Sequence, residues 1–397
     1  MTPAGPASSA DAEGLTHLRL YNFRNYAELN LPLGPGLNVF AGENAQGKTN
    51  LLEAVATLLL TRSPRTSVPA ELLRWGTDEA AVDAVLGRRS LSETLALRLH
   101  RTRDTEPARP PGRDASPRVA RTTTRDGHPI APRDLIGRWP VVLFWPDDLQ
   151  LVKAGPEARR RLLDILVSQL DRAAADELIR YRRVLEQRNS LLRRLHDGGG
   201  PIDQLRPFDD ALLRHGAAVQ VARTELVAAL APLAAAAMAE ISDAADSLTL
   251  RYAPQAGAPS DDREQVLAAL TSALARARGE ELARGTSVVG PHRDDLEFVL
   301  NGRPARSTAS QGQQRSAVLA TKIAEVRLVG ARAERMPILL LDDVLSELDP
   351  ARREHLLAAL SARGELPQTM VTCSDEYPFG AHPSRRFLVR HGTVVAG

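Results

Sequence analysis

The chain has 397 residues, of which 43% are hydrophobic and 25% are charged, and its formal net charge is +2. This length supports two or three compact units of about 100 to 200 residues each. A single cysteine, Cys373, excludes an internal disulfide and a cysteine-based zinc site, and the small net charge means that any nucleic-acid surface must be a local patch. No stretch approaches the roughly 20 uninterrupted apolar residues of a membrane span, so we expect a cytoplasmic protein with no membrane partner. Residues 1–13 are predicted to be a disordered tail.

The first predicted elements are strands that lead into a helix. Residues 16–21 and 26–33 alternate between apolar and polar side chains, which predicts two β-strands. Gly34-Pro35-Gly36 marks a turn, and the apolar run 37–41 predicts a third strand. Apolar residues then recur at helical spacing from Asn50 to Leu60. The segment therefore has the order strand, loop, helix.

The loop between this strand and helix reads Gly-Glu-Asn-Ala-Gln-Gly-Lys-Thr and fits the phosphate-loop pattern G-x-x-x-x-G-K-[ST]. Two glycines let successive N–H groups face a β-phosphate, and the lysine ammonium reaches between the β- and γ-phosphates. Lys48 is one of only three lysines beside 48 arginines, so this position selects a compact ammonium over a planar guanidinium. Thr49 offers a hydroxyl to Mg²⁺. The predicted site for a nucleotide triphosphate comprises Gly42, Glu43, Asn44, Ala45, Gln46, Gly47, Lys48, Thr49 and Asn50.

Arginine dominates the region after this helix. Residues 80–142 continue the alternating pattern, and Pro, Gly, Arg and Asp at Glu106 to Pro117 predict a mobile surface loop. From Arg88 to Arg138 there are 12 arginines and 6 acidic residues. Two interpretations stay open: a sequence-independent surface for DNA phosphates, or a solvated face in an arginine-rich chain. Arg65 also has two open roles, contact with a phosphate of the bound nucleotide or a surface position in solvent.

The middle of the chain is predicted to be helical. Apolar residues step by three and four from Pro156 to Leu195, glycines at 198–200 break the pattern, and an Ala/Leu-rich stretch follows from Phe208 to about Ala245. These two stretches predict an antiparallel helical hairpin, and a third helix is predicted over Asp261 to Arg284. Apolar strands return at 296–300 and 338–341. The predicted domains are an ATPase domain in two halves, residues 14–155 and 286–397, and a helical arm, residues 156–285, inserted between these halves.

The strand predicted at 338–341 ends in two carboxylates, Asp342 and Asp343. Four aliphatic residues before an aspartate are typical of a buried parallel strand that directs a carboxylate toward Mg²⁺. In this interpretation Asp342 orients the water shell of the metal, and Asp343 is the catalytic general base that polarises the attacking water. The alternative is a core strand that runs into an acidic turn. The phosphate loop favours the metal role, because hydrolysis needs a carboxylate from a neighbouring strand.

Ser310 is predicted to cap the helix that follows it. Its hydroxyl and the unshielded backbone of Gly312 suggest a second anion site, suited to a γ-phosphate, and an ordinary polar cap is the alternative. His292 stands between a proline and an arginine, and two roles stay open for it as well. One is structural, and the other is contact with a γ-phosphate or with DNA.

The order of these motifs resembles that of an ABC-type ATPase head: a Walker A loop, a Ser-x-Gly-Gln cap, then a Walker B strand. The fold class is therefore predicted as α/β, an ABC-type P-loop ATPase head with a β-rich N-terminal part and an inserted α-helical arm. The resemblance implies ATP as the nucleotide and a two-fold homodimer that encloses it. It also implies that four residues act in trans on the nucleotide held by the other copy: Ser310, Gln311, Gly312 and Gln313.

Further stretches resemble the bacterial DNA replication and repair family RecF, over about residues 16 to 350. They are Asn22 to Tyr26, Gly47 to Glu53, Leu149 to Arg161, Gly290 to Asp295 and Ala309 to Arg315. The resemblance implies ATP-dependent dimerisation on duplex, gapped or junction DNA and slow, DNA-dependent ATP hydrolysis that acts as a switch. It also implies work with RecR, alongside RecO, in loading the recombinase RecA onto single-strand gaps, and a nucleoid-associated location.

Two other classes share the nucleotide motifs. The ATPase subunit of a transporter needs a glutamine-containing coupling loop and a switch histidine, but Cys373 follows the strand predicted at 369–372, and Gln150 is the only glutamine near the expected loop. An SMC-like or Rad50-like DNA tether needs heptads sustained for hundreds of residues, which residues 156–284 cannot supply. A DNA-binding ATP switch is therefore the leading hypothesis.

Overall fold

A computed structural model describes residues 13–88, 91–102, 119–333, 335–346, 348–361, 367–374 and 385–397. Residues 1–12 of the predicted tail and the whole predicted loop from Glu106 to Pro117 lie outside the described residues. The chain divides into two compact units. The first unit lies within Met1–Pro146 and Ala333–Gly397, and the second is Asp147–Arg332.

The elements of the first unit come from both ends of the chain. Before residue 147 they are β1 (Gly14–Phe23), β2 (Tyr26–Pro32), β3 (Leu37–Ala41), α1 (Lys48–Leu60), β4 (Glu79–Arg88), β5 (Leu91–Arg101), β6 (Val119–Arg125), β7 (His128–Pro129) and β8 (Val141–Phe144). The second unit then contains α2 (Pro156–Leu170), α3 (Arg172–His196), α4 (Arg206–Ile241), β9 (Leu248–Ala253), α5 (Arg263–Arg284), β10 (Asp295–Leu300), β11 (Arg303–Pro304), α6 (Ala305–Thr308) and α7 (Gln311–Arg332). The first unit is completed by β12 (Ile338–Asp342), α8 (Pro350–Ser361), β13 (Thr369–Cys373), β14 (Arg385–Arg390) and β15 (Thr393–Ala396).

Two six-stranded sheets form the first unit. One is antiparallel, with the order β2-β1-β4-β5-β6-β7. The other has the order β15-β14-β3-β13-β12-β8, and its strands are parallel except for the β14–β15 hairpin. Helix α1 contacts strands of both sheets, so most of its residues are buried. This burial on several sides explains why apolar residues cover more than one face of α1.

Four of the predicted elements are confirmed in this unit. The strands predicted at 16–21 and 26–33 correspond to β1 and β2, and the strand predicted at 37–41 is β3. The buried strand predicted at 338–341 is β12, which lies between two parallel neighbours. A parallel strand in the middle of a sheet is covered on both faces, and this accounts for its run of aliphatic residues.

The second unit packs helices around α4 and a small sheet of the order β11-β10-β9. Helices α3 and α4 are antiparallel, because Arg188 contacts Asp209 while Tyr181 lies beside Gly216. The predicted helical hairpin is thus confirmed, but the first stretch is two helices rather than one. Asp171 breaks it, since its backbone is extended at φ −138° and its carboxylate accepts a hydrogen bond from the N–H of Ala174 at 3.0 Å.

Helix α4, with the turn before it (Ile202–Ile241), has the length and apolar composition of a membrane span. It contacts α3, α5, α7 and β9 within the second unit. Burial against these neighbours accounts for its larger apolar side chains, such as Leu212, Leu226 and Leu230, whereas several of its alanines are exposed.

The bounds of the second unit differ from those predicted for the helical arm. The unit extends over residues 147–332, whereas the arm was predicted at 156–285. The extra residues belong to it because α7 packs on α4 and β10 packs on α2. The division of the chain into an ATPase domain in two halves, 14–155 and 286–397, stays a prediction.

Candidate nucleotide site

The phosphate loop connects β3 to the N-terminus of α1, as the sequence pattern predicts. Gly47 is the residue before the helix, and its φ of 117° is a conformation that favours glycine. The Tyr26 hydroxyl donates a hydrogen bond to the Gly47 carbonyl at 3.0 Å. Because the first N–H groups of a helix have no partner within it, this end of α1 presents donors and a positive dipole end to an anion.

The Lys48 side chain lies folded against the loop. Its ammonium donates hydrogen bonds to the carbonyl of Gly42 and, at 3.1 Å, to the carbonyl of Glu43. Only 6% of the residue is exposed. The positive charge is therefore held within the concave loop that the Walker A pattern defines, where a phosphate group would meet it.

Thr49 and Asp342, the two residues predicted to hold the metal, are in contact although they are far apart in the chain. The Thr49 hydroxyl lies 3.0 and 2.8 Å from the two carboxylate oxygens of Asp342. Thr372 is paired with Asp342 across β13 and β12, and its hydroxyl donates to Asp342 Oδ1 at 2.8 Å. Burial raises the pKa of Asp342, and the two threonine hydroxyls reduce this rise without cancelling it.

The hydroxyl oxygen of Thr49 and the carboxylate oxygens of Asp342 are suitable ligands for a Mg²⁺ ion that is also bound by a nucleotide. Within the part of the chain that the structure describes, no group of three or more His, Cys, Asp or Glu side chains is arranged around a possible metal ion. Mg²⁺ prefers oxygen ligands and is usually bound through one or two carboxylates together with phosphates and water. A threonine hydroxyl and one carboxylate are therefore a suitable protein contribution, whereas a metal bound by the protein alone would need more ligands.

Asp343 lies directly after this carboxylate in a left-handed conformation, with φ 50°. Its N–H donates to the Thr372 hydroxyl at 2.8 Å, and its Oδ1 accepts a hydrogen bond from Ser346 at 2.9 Å. The Thr372 hydroxyl thus connects the Asp342 carboxylate to the Asp343 backbone. Thr372 was not predicted as a site residue. Its role depends on which strand lies beside β12, and a single sequence does not reveal that order.

Arg65 lies against the first turns of α1. Its guanidinium donates to Asn50 Oδ1 at 2.9 Å and to Glu53 Oε2 at 2.8 Å. The buried Glu53 also accepts two hydrogen bonds from Arg24, at 2.8 and 3.0 Å, and one from Ser63 at 2.6 Å. Burial would raise the pKa of Glu53, but the arginines and Ser63 outweigh it and hold the pKa below its usual range.

The contacts of Arg65 give it a defined position next to the phosphate loop, with its side chain 42% exposed. Arg24 and Glu53 lie in stretches that carry the family resemblance, but no role was predicted for either residue. The signal that could have identified their pairing is Glu53 itself, the single acidic residue of α1, which stands among mainly apolar residues.

Ser310 caps α7, as predicted. Its hydroxyl accepts a hydrogen bond from the N–H of Gln313 at 3.2 Å, and Gln313 Oε1 accepts one from the N–H of Ser310 at 3.0 Å. This reciprocal pair is a capping box. The Gln313 amide also donates to Asp246 at 2.9 Å. Ser310 and Gln311 are exposed and Gly312 is half-buried, so this helix terminus is accessible on the second unit.

His292 has partners for both ring nitrogens within the second unit. Nδ1 lies 2.6 Å from the Tyr181 hydroxyl, and Nε2 lies 3.1 Å from the Ser287 carbonyl. Burial lowers the pKa of His292 to about 4, although the hydrogen bond to Ser287 opposes the change. The ring is therefore neutral at neutral pH. Of the two roles left open by the sequence, this geometry favours the structural one.

Taken together, the first unit has a phosphate loop between β3 and α1, a carboxylate at the end of β12 in contact with Thr49, and an antiparallel sheet that also packs on α1. A largely parallel sheet that carries both nucleotide motifs at the ends of its strands is the arrangement of P-loop ATPases. The fold and the site therefore define a P-loop ATPase fold of mixed α/β class.

Comparison with known proteins narrows this class to one family. A DNA replication and repair protein RecF from Symbiobacterium thermophilum is 41% identical over 393 residues, which cover 96% of this chain and 98% of that protein. RecF from Streptomyces avermitilis is 38% identical, over 96% of this chain and 99% of that protein. The chain therefore belongs to the RecF family of DNA replication and repair proteins, and the predicted resemblance is confirmed.

The solved structures to which the chain is similar agree with this assignment. One structure, described as the recombination mediator protein RecF-ATPrS in the RecFOR pathway, is 27% identical and has a TM-score of 0.84. The match covers 98% of this chain and 99% of the chain in that structure. An Smc head domain from Pyrococcus furiosus has a TM-score of 0.51 at 15% identity over 96% of both chains, and shares the fold. A family model described as an AAA domain matches residues 17–104. The predicted fold class is confirmed.

Proposed function

We propose that this chain is an ATP-dependent DNA-binding recombination mediator in DNA repair and replication. ATP binding joins two copies on duplex, gapped or junction DNA, and slow ATP hydrolysis separates them. The observation that carries the proposal is the contact between Thr49 at the phosphate loop and Asp342 at the end of β12, at 2.8 Å. A solved structure described as RecF-ATP, 27% identical with a TM-score of 0.81, supports ATP as the nucleotide.

Each residue of the site has a role in this proposal. The N–H groups of residues 42–50 and the Lys48 ammonium bind the phosphates, and Thr49 and Asp342 hold Mg²⁺. When bound, Mg²⁺ neutralises negative charge on the phosphates. Asp343 accepts the proton of the attacking water. Arg65 supplies a cation beside Asn50, where it can contact a phosphate oxygen.

The exposed cap of α7 supports the proposed dimer. Ser310 and the residues after it, Gln311, Gly312 and Gln313, would contact the nucleotide held by the other copy. A helix terminus with free N–H groups is suited to a γ-phosphate, which ATP carries and ADP lacks. Such contacts would make the dimer depend on ATP and would be lost on hydrolysis.

The remaining parts of the proposal concern domains and partners. Residues 14–155 and 286–397 would form the ATPase domain, with the helical arm at 156–285 inserted between its halves. Arginine-rich surfaces would bind DNA phosphates without sequence preference. The partners would be RecR, alongside RecO, and the recombinase RecA, whose loading onto single-strand gaps the protein would assist. RecF relatives over nearly the whole chain support this part.

DNA binding measured with and without ATP tests the function. We expect fluorescence anisotropy to show tighter binding to duplex and gapped DNA with MgATP than with MgADP or without nucleotide. The logarithm of the binding constant should fall linearly with the logarithm of salt concentration, with a slope of about −0.9 per phosphate contacted in duplex DNA. Equal binding in all nucleotide states, or no binding to any of these DNAs at low salt, would contradict the proposal.

The Ser310→Arg substitution tests the proposed role in trans. We expect the variant to bind MgATP as a monomer with unchanged affinity but to form no ATP-dependent dimer, measured by calorimetry and sedimentation velocity. The Ser310→Ala variant is the control, because it removes the cap, at a cost of about 1 kcal/mol of helix stability, without adding bulk or charge. Loss of MgATP binding by monomeric Ser310→Arg would mean that the serine acts in its own subunit.

A further inference from the structure

The turn of the last hairpin lies against the tip of the phosphate loop. Strands β14 and β15 are joined by His391 and Gly392, whose φ values are 47° and 72°. Two successive residues in the left-handed region are typical of a type I′ hairpin turn. The N–H of His391 donates to Gln46 Oε1 at 2.7 Å, and the N–H of Gly392 donates to the Gln46 carbonyl at 3.0 Å.

The sheet brings this turn to the loop. Strand β14 pairs in parallel with β3, and Leu388 is opposite Ala41, so both strands end at the same edge. The phosphate loop follows one strand and the turn follows the other. The approach is close at the first residue of the loop too, because a Cβ on Gly42 would lie 2.4 Å from the Val389 carbonyl oxygen. The hairpin therefore contacts the loop at both its start and its tip.

These contacts set the direction of the N–H groups of the loop. The Gln46 carbonyl accepts hydrogen bonds from Gly392 and, at 3.0 Å, from the Asn25 side chain. In a planar trans peptide the carbonyl and the following N–H point in opposite directions, so fixing the Gln46 carbonyl also fixes the Gly47 N–H. The Tyr26 hydroxyl holds the next carbonyl, that of Gly47, in the same way. In a phosphate loop, successive N–H groups cradle the phosphates.

We propose that the β14–β15 hairpin is a latch that orients the phosphate loop for the triphosphate of ATP, with His391 and Gly392 as positioning residues. Neither residue is assigned contact with the nucleotide. They act through backbone donors on Gln46. The inference rests on the proposed function in one respect, namely that this loop binds the phosphates of ATP.

A pair of glycine substitutions tests the latch. In Gly392→Ala the new Cβ would lie 2.5 Å from the backbone oxygen of Asn25, so the turn and Asn25 must move apart. Both of them bond the Gln46 carbonyl, so this shift weakens the hold on the loop. Gly127→Ala is the matched control. Asp126 and Gly127 form the equivalent two-residue turn between β6 and β7, with φ values of 51° and 80°, and a Cβ on Gly127 meets nothing within 4 Å. Both substitutions carry the same backbone strain, but only Gly392→Ala disturbs the loop.

We expect isothermal titration calorimetry to show that MgATP binds Gly392→Ala about tenfold more weakly than the unmodified protein, as for the loss of one hydrogen bond. Gly127→Ala should bind MgATP as the unmodified protein does. Hydrogen exchange in the nucleotide-free protein should be faster over residues 42–50 in Gly392→Ala only. Equal affinity and equal exchange in the two variants would overturn the latch.

A second variant covers the case in which Gly392→Ala does not fold. Gln46→Ala removes the acceptor of the His391 N–H and leaves the backbone of the turn unstrained. It should also speed hydrogen exchange over residues 42–50 without nucleotide, and unchanged exchange would overturn the latch. If the unmodified protein does not bind MgATP, the proposed function fails, while the exchange measurements still decide whether the hairpin restrains the loop.

Discussion

The Lys48→Ala variant is expected to bind MgATP about 10- to 100-fold more weakly than the unmodified protein, because it loses charge-assisted hydrogen bonds worth about 1.5–3 kcal/mol. In the unmodified protein the ammonium also bonds the carbonyls of Gly42 and Glu43, so its removal leaves the loop less restrained as well. ATP-dependent dimerisation should be strongly reduced at MgATP concentrations that only just saturate the unmodified protein. Calorimetry measures the affinity, and sedimentation velocity measures the dimer.

The control for this experiment is Lys153→Ala. Lys153 is one of the three lysines in the chain, and its side chain is exposed on the second unit. The substitution removes the same charge at a residue outside the phosphate loop, so MgATP binding should not change. An unchanged ATP-dependent dimer in Lys48→Ala would rule out this loop as the nucleotide site on which dimerisation depends.

The Asp343→Asn variant is expected to hydrolyse ATP about 10²- to 10⁴-fold more slowly, the usual contribution of a general base. An amide cannot accept the proton of the attacking water. Its Oδ1 can still accept the hydrogen bond that Ser346 makes at 2.9 Å, so the local structure should be retained. MgATP binding should therefore persist, and the dimer should be longer-lived than in the unmodified protein. Single-turnover hydrolysis and sedimentation velocity measure the two effects.

Asp126→Asn provides a closely matched control. Asp126 is exposed, has φ 51°, and its Oδ1 accepts a hydrogen bond from the Thr94 N–H at 2.8 Å, so the same substitution is made in the same backbone conformation at a residue outside the nucleotide motifs. Its hydrolysis rate should equal that of the unmodified protein. Rapid turnover by Asp343→Asn would exclude Asp343 as the general base and would leave the separation of the dimer without its proposed trigger.

Local patterns in the sequence predicted the parts of the site that are continuous in the chain. The phosphate loop and α1 follow from the glycine spacing and the apolar periodicity, and the cap of α7 follows from Ser310 and Gln313. These features depend on hydrogen bonds between residues a few positions apart. They could therefore be predicted without knowledge of the fold.

Two features of the second unit were predicted wrongly or were not predicted. The stretch from Pro156 to Leu195 was predicted as one helix because its apolar period continues through Asp171, although that residue caps a new helix. Strand β9 was not predicted, and it becomes a strand by pairing with β10. The break at Asp171 depends on a local hydrogen bond to the N–H of Ala174, so its signal was present in the sequence, whereas β9 depends on a neighbour that is distant in the sequence.

The sequence by itself determined the family, the fold class and the chemical types at the nucleotide site, since each is written in residue identity and short spacing. Tertiary structure alone decided which residues complete that site. Thr372 joins Asp342 because β13 lies beside β12, and Gly392 reaches Gln46 because β14 lies beside β3. The order of strands in a sheet is set by long-range packing, and the hydrogen bonds it creates join residues that no local pattern relates.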